Sequence, residues 1–402
     1  MPLRHAVSSV AHHPALRRGR EVLLATNDKT LDLQAAIAEI PAPSGAEARR
    51  AAFVAGRLRE LGLEQVALDG AGNVVARRGH TRGPAIVLAA HLDTVFSADV
   101  DHTVHRHGVR LDGPGISDNA RGLVGLVALA RAVLEAGWAT QRPIVFAATV
   151  GEEGEGNLRG ARYLLGPSGV AAHAVIALDG AGLDRVVHRA LGSRRFRMTY
   201  RGPGGHSWSA YGVANPAHAV GRFAAGVAEL ARTPRPGSAC SVVRLSGGTG
   251  LNSIPFLAWA EVDTRSEDAG ALDALESSVR GLAGDALRTE NLRRAQGTAP
   301  LEFAIETIGD RPAGTTPPSD PLVCAAVDAT RAVGREPELS VASTDANVPI
   351  ALGIPAITLG AGGTAGNTHL ETEWYDDTGG ADGLWRALLV LAAAAGLKNG
   401  ER

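Results

Sequence analysis

Three short apolar runs constrain the fold of this chain more than anything else in it: AIVLAA (85–90), PIVFAATV (143–150) and HAVIAL (173–178). None alternates polar with apolar residues, so each, as a strand, must be buried on both faces. Between the first two lies RGLVGLVALARAVLEAG (121–137), an apolar helical stretch that stops at Gly137. Strand, helix, strand in that order predicts a mostly parallel sheet covered by helices, an α/β fold. Upstream, residues 44–62 open with Ser44 and Glu47, spaced as a capping box, and continue with helical apolar spacing.

The pattern changes near residue 187. SRRFRMTYRG (193–202) alternates as a half-exposed strand does, and a helical run follows at 215–231. CSVVRL (240–245), FLAWAEVDTR (256–265) and a helix near 268–288 complete an α+β module of domain size. The α/β pattern resumes at 321–333, 354–360 and 381–396. The expected organisation is one α/β domain made of residues 1–188 and 303–402, interrupted by an inserted module at 189–302.

Bulk properties exclude several classes of function. A chain of 402 residues, 45% hydrophobic and 20% charged, can bury two cores. A net charge of −2 offers no general attraction for nucleic acid or an anionic membrane. No run of eighteen apolar residues exists to span a bilayer. Cys240 and Cys324 stand far apart without metal-binding spacing and read as reduced core residues of a cytoplasmic protein. Residues 1–20, with Arg4, Arg17, Arg18 and Arg20, lack the apolar stretch of a secretory signal and read as a frayed tail.

The buried runs end in a cluster of metal-binding types. The first leads into His91 and Asp93, the second into Glu152 and Glu153, the third into Asp179. Ligands of parallel sheets bind at the carboxyl ends of strands, so these residues should converge. Asp118 precedes the apolar helix, and His369 follows the 354–360 strand in a Gly-rich loop. Several carboxylates in one cleft repel each other unless a cation is present. Imidazole with carboxylate suits Zn²⁺, with Mn²⁺ or Co²⁺ as substitutes. Five ligands exceed what one catalytic zinc needs and suffice for two ions if one carboxylate bridges them. Asp93 is placed to orient the His91 ring, and of the adjacent Glu152 and Glu153 one can ligate metal while the other faces the bound water as a general base. Other motifs carry less. Gly247–Gly250 lacks the Lys of a phosphate loop, Gly70-Ala71-Gly72 is followed by a strand-like run, and Ser207 beside His206 has no nucleophile-elbow context.

At these residues the chain resembles the co-catalytic zinc exopeptidases, the family that includes peptidase T, carboxypeptidase G and the aminoacylases. The resemblance runs from about residue 30 onward and is carried by AAHLDTV (89–95), GPGISDNARG (113–122), TVGEEGEG (149–156), ALDG (177–180), GPGGHSW (202–208), DTRS (263–266) and GNTHLETEW (366–374). It implies that His91 and Asp179 hold one zinc, Glu153 and His369 the other, and that Asp118 bridges both. It implies a metal-bridged hydroxide with Glu152 as base, and a cis peptide after Asp118. The inserted module would be a ferredoxin-like lid and dimerisation domain. His206 would stabilise an oxyanion, and Asn252 and Arg265 would bind the substrate's carboxylate end, Arg by its planar fork. Asp179, where deacylases tend to carry Glu, points to small peptides, as in peptidase T. The alternatives are an N-acyl-amino-acid amidohydrolase or carboxypeptidase and, less well supported, a zinc-binding protein without catalysis.

Overall fold

The computed structural model describes Val7 and residues 11–79, 83–232 and 236–398. In chain order its main elements are α1 (Pro14–Ala25), α2 (Asn27–Ala38), α3 (Ala48–Glu60), β1 (Val74–Arg78), β2 (Ala85–His91), α4 (Ala120–Glu135), β3 (Ile144–Thr149), β4 (Ala172–Leu178) and β5 (Arg185–Ala190). An insertion follows: β6 (Gly192–Arg201), α5 (Pro216–Ala231), β7 (Ser238–Gly247), β8 (Leu257–Ser266), α6 (Ala269–Arg293) and β9 (Glu302–Arg311). Beyond it come α7 (Pro321–Ala332), β10 (Ala356–Leu359) and α8 (Gly380–Ala395). The chain divides into two compact units, Met1–Ala190 with Thr315–Arg402, and Leu191–Gly314.

The first unit is built on a nine-stranded sheet with the central order β1-β3-β2-β4-β10-β5. The pairs β3–β2, β2–β4 and β4–β10 are parallel, while β1 pairs antiparallel with β3, and β5 antiparallel with β10. Successive β2 side chains enter different cores. Ile86, Leu88 and Ala90 pack with residues of α1–α4 and α8, and Val87 and Ala89 with Val145, Ala147, Val175 and Ala356. That two-sided burial is why the run is apolar without alternation. Truncating Leu88 to Ala in so closed a site would cost about 2–5 kcal/mol.

One expectation fails at the amino-terminal end. Residues 14–25 are helix α1, not a frayed tail; Arg4 lies outside the described residues. Pro14 supplies the fixed φ of a first helical turn, His13 accepts from the Ala15 N–H, and Leu16, Val22 and Leu23 are buried.

The second unit is a four-stranded antiparallel sheet, order β7-β8-β6-β9, the ferredoxin-like arrangement. Phe196, Met198 and Tyr200 of β6 pack against Phe223 and Val227 of α5 and Leu275 and Val279 of α6. The alternate residues Arg195 and Arg197 pair with Asp263 and Glu261 of β8. The insertion extends past the expected boundary at 302. Residues 302–311 form β9 and pair with β6 from Glu302↔Arg201 to Arg311↔Ser193, so the unit closes at Gly314. Among the described residues no helix is long and apolar enough to cross a membrane.

Candidate metal centre

β2 lies between β3 and β4, with His91 in register with Thr149, so all three strands leave the sheet at the same edge. There the His91 Nδ1 donates to the Asp93 main-chain carbonyl at 3.0 Å. That bond turns Nε2 toward Asp118 Oδ1 (3.0 Å) and Asp179 Oδ1 (3.7 Å), where it can hold a proton or a metal. On the other side of Asp118, His369 Nε2 is 3.1 Å from Asp118 Oδ2 and 3.1 Å from Glu153 Oε1. Asp118 therefore offers one oxygen to each of two ligand sets. The peptide between Asp118 and Asn119 is cis.

The donor set fits a divalent cation. Ligand atoms of His91, Asp118 and Glu153 all lie within 4.8 Å of one another. Asp118 Oδ1 is buried and accepts no hydrogen bond. A lone pair facing carboxylate oxygens is repulsive without a proton or a metal between them. Ligand atoms sharing one tetrahedral zinc would be about 3.4 Å apart, close to the spacings here. The electrostatics agree. Burial opposes a charged His91, yet Asp118, Asp179 and Asp93 outweigh it and push the imidazole well above its usual value. Asp118 and Glu153 raise His369 to about 10. Burial would raise Asp118, but His369 and His91 hold it far below the usual carboxylate range. So negative a field is one that a dication satisfies.

Asp93 and Glu152 do different work from that which spacing suggests for the first of them. The Asp93 carboxylate stands 3.6 Å from His91 Nδ1, and the ring is held by its backbone carbonyl instead. The carboxylate accepts from the Glu152 N–H (2.9 Å), the Glu153 N–H (2.9 Å) and the Ser44 hydroxyl (2.5 Å). Burial would raise this group, but His91, Ser44 and the Glu153 N–H bring it down to about 2. Asp93 thus fixes the start of the Glu152–Glu153 turn. Glu152 itself is 4% exposed.

Several supporting residues were not legible in the sequence. Ser44 and Glu47 do not cap α3, whose amino end has no side-chain cap. Ser44 serves Asp93, while Glu47 accepts from the Gly151 N–H (3.0 Å) and binds Arg159 through both oxygens. Arg50, buried in α3, donates to the carbonyl of Leu92, between His91 and Asp93. Asn119 caps α4 through the Gly122 N–H, accepts from Gly180 N and donates to Leu178 O, tying the Asp118 loop to the Asp179 loop. Glu373 accepts from the N–H groups of Gly115, Ser117 and Asp118. Burial, then the Asp118 charge, raises its carboxyl to about 7. Asp345, bonded by Thr149, is raised to about 6, mainly by burial. Glu373 sits inside a motif already singled out; Asp345 lies in a polar STDAN stretch just past residues 338–342.

The other three expected residues lie in the insertion. His206 and Ser253 pair across a short two-stranded ladder, and Ser207 N donates to Asn252 O at 2.9 Å, so His206 and Asn252 sit on adjoining loops. Both are exposed. Arg265, in β8, donates to Asp263 at 2.7 Å, which occupies part of its fork.

Sheet, strand-end cluster and donor set define a class: an α/β metal-dependent hydrolase. The chain belongs to peptidase family M20/M25/M40, whose model matches residues 87–395. It is thus an enzyme of a metallopeptidase family. A succinyl-diaminopimelate desuccinylase of Corynebacterium glutamicum is 27% identical over 339 residues, 81% of this chain and 86% of that protein. A protein of Aeropyrum pernix described as a LysW-lysine/LysW-ornithine hydrolase is 29% identical over 234 residues, 58% of this chain; the match spans 62% of that relative's length. Among solved structures, the aminopeptidase PepT of Bacillus cereus superposes with a TM-score of 0.71 at 20% identity, over 94% of this chain and 99% of that one.

Proposed function

We propose that this enzyme hydrolyses the peptide bond of small peptides, in the manner of a dipeptide or tripeptide aminopeptidase, with two zinc ions. The reading is carried by one observation: the two oxygens of Asp118 face different ligand sets, His91 with Asp179 and His369 with Glu153. His91 and Asp179 would hold one ion, Glu153 and His369 the other, with Asp118 between them; Mn²⁺ or Co²⁺ could replace zinc. When bound, such ions polarise a carbonyl and lower the pKa of water.

The chain's own residues do the rest. Glu152 takes the proton of the attacking water and delivers it to the leaving amine. Asp93 holds the backbone of Glu152 and Glu153, so the base and a ligand stay in fixed relation. His206 is the proposed oxyanion donor, and Asn252 and Arg265 the groups that bind the substrate's carboxylate end. The insertion is proposed to act as a lid and to carry a homodimer contact, which its edge strand β7, with exposed Val243 and Leu245, supports. Cytoplasm is the proposed setting, where Cys240 and Cys324 remain thiols.

A second reading has a specific observation behind it. The desuccinylase relative matches over most of both chains, which favours an N-acyl-amino-acid amidohydrolase using the same residues. Asp179, shorter than the Glu of deacylases, favours peptides. Assays of the zinc-loaded enzyme on free dipeptides, tripeptides and N-succinyl or N-acetyl amino acids decide between them. The peptide reading requires the highest kcat/KM on unblocked peptides; higher values on acyl-amino acids would replace it with the second.

A further inference from the structure

At the other edge of the sheet, where β3, β4 and β10 begin, lies a second cavity of about 310 Å³. That is within the ~300–1,000 Å³ range of small-molecule sites. It is separated from the metal centre by the length of the strands, whose carboxyl ends carry Asp179 and the Glu152 turn. Three polar side chains reach it: Arg142, just before β3; His173, at the start of β4; and Asp320, at the head of α7. Its floor is apolar, formed by Leu322, Ala325 and Ala394 among others.

The polar groups have unused capacity. Arg142 uses its backbone N–H on Ala395 O, but its guanidinium makes no hydrogen bond or ion pair among the described residues. Asp320 commits Oδ1 to the Leu322 N–H, capping α7 at 2.8 Å, and Oδ2 takes no hydrogen bond among the described residues. Burial and the Arg142 charge lower His173, which keeps its imidazole neutral at neutral pH. Arg142, His173 and Asp320 all line this one cavity, so the two charges face the same space. One unused cationic fork, one unused carboxylate oxygen and an apolar floor complement a molecule with a carboxylate, an ammonium and an apolar body.

We propose that this cavity is a second binding site, taking a free α-amino acid with an apolar side chain: its carboxylate on Arg142, its ammonium on Asp320 Oδ2, its side chain against Leu322, Ala325 and Ala394. Such amino acids are the product class of the proposed hydrolysis, and only that link rests on the functional reading. The binding itself does not, since an enzyme that turned out to prefer acyl-amino acids would still bind leucine here.

Titration calorimetry on the zinc-loaded full chain tests it, with L-leucine, 4-methylpentanoate (no ammonium) and isopentylamine (no carboxylate) as probes. Leucine should bind, and each analogue at least about tenfold more weakly. Arg142→Gln and Ala394→Phe should each weaken leucine binding by at least about tenfold while leaving hydrolytic turnover and Tm unchanged. The first removes a charge and the second fills the cavity, so a fold defect in one leaves the other decisive. No leucine binding, or binding unchanged in a well-folded variant, would overturn the proposal, the latter by placing the ligand at the metal centre.

Discussion

Neither oxygen of Asp118 has the surroundings of a solvated carboxylate: one is buried without a hydrogen bond, and the other shares His369 with Glu153. Around it the residues divide into those that would touch metal and those that hold them. Glu152, buried and next in sequence to the proposed ligand Glu153, is the proposed base. Glu152→Gln keeps size and removes the titrating group; kcat should fall by about 10²–10⁴ with metal content by elemental analysis unchanged. A variant with normal kcat would remove Glu152 from the mechanism. Glu373 gives a pH-dependent prediction for the chelated protein. Burial and then Asp118 raise its carboxyl from 4.5 to about 7, so the folded state binds this proton more tightly than the unfolded chain. Its contribution is full below 4.5 and lost as pH rises through about 7, on the order of 3 kcal/mol across that window. Urea unfolding of chelated protein should show stability falling over this range, with a flatter profile in Glu373→Gln; an identical profile would contradict the assignment. At this scale the sequence exposed the residues at strand ends, because a strand end is visible as the break in an apolar run. It hid Ser44 and Glu47, since the spacing that caps a helix is also what lets one turn bond Asp93 and Gly151.

Elements carry those residues to the cluster through close packing. The amino end of α4 presses on the end of β4, and a Cβ at Gly122 would stand 2.5 Å from Leu178 O and closer still to the Asn119 side chain. Gly122→Ala must therefore displace Asn119, which ties the Asp118 and Asp179 loops together. It should cost about 1–3 kcal/mol and weaken metal binding as well. Gly56 is the control: it sits in α3 with nothing within 4 Å of a Cβ, and Gly56→Ala should stabilise by up to about 1 kcal/mol. Thermal melts and metal titration of the pair separate a packing effect from a helix-propensity effect; equal shifts in the same direction would refute it. Most elements of the first unit were legible, with α4 read at 121–137 and found at 120–135, because both-sided burial leaves an uninterrupted apolar signature. β9 is not legible in the sequence, since EFAIETIGDR alternates weakly and has half its residues exposed on an edge strand. Helix α1 was lost behind its arginines, whose polar face masks Leu16, Val22 and Leu23.

At the scale of the molecule, two units with separate cores share one chain, and the strand-end cluster belongs wholly to the first. That division predicts an insertion that could change partners or substrate without altering the metal ligands. If the insertion carries the homodimer contact, light scattering should give twice the mass of the chain, and Leu245→Glu on the exposed part of β7 should reduce it to one while each chain keeps its metal; a monomeric parent protein would refute that part. The claim on which everything else depends is that five side chains make two metal positions around a single bridging carboxylate. Elemental analysis of the protein after chelation, zinc reloading and removal of excess ion tests it most directly, run beside Asp118→Asn. The account predicts two zinc ions per chain in the parent and a marked loss from both positions in the variant; a parent holding one ion or none, or a variant that still holds two, would contradict it.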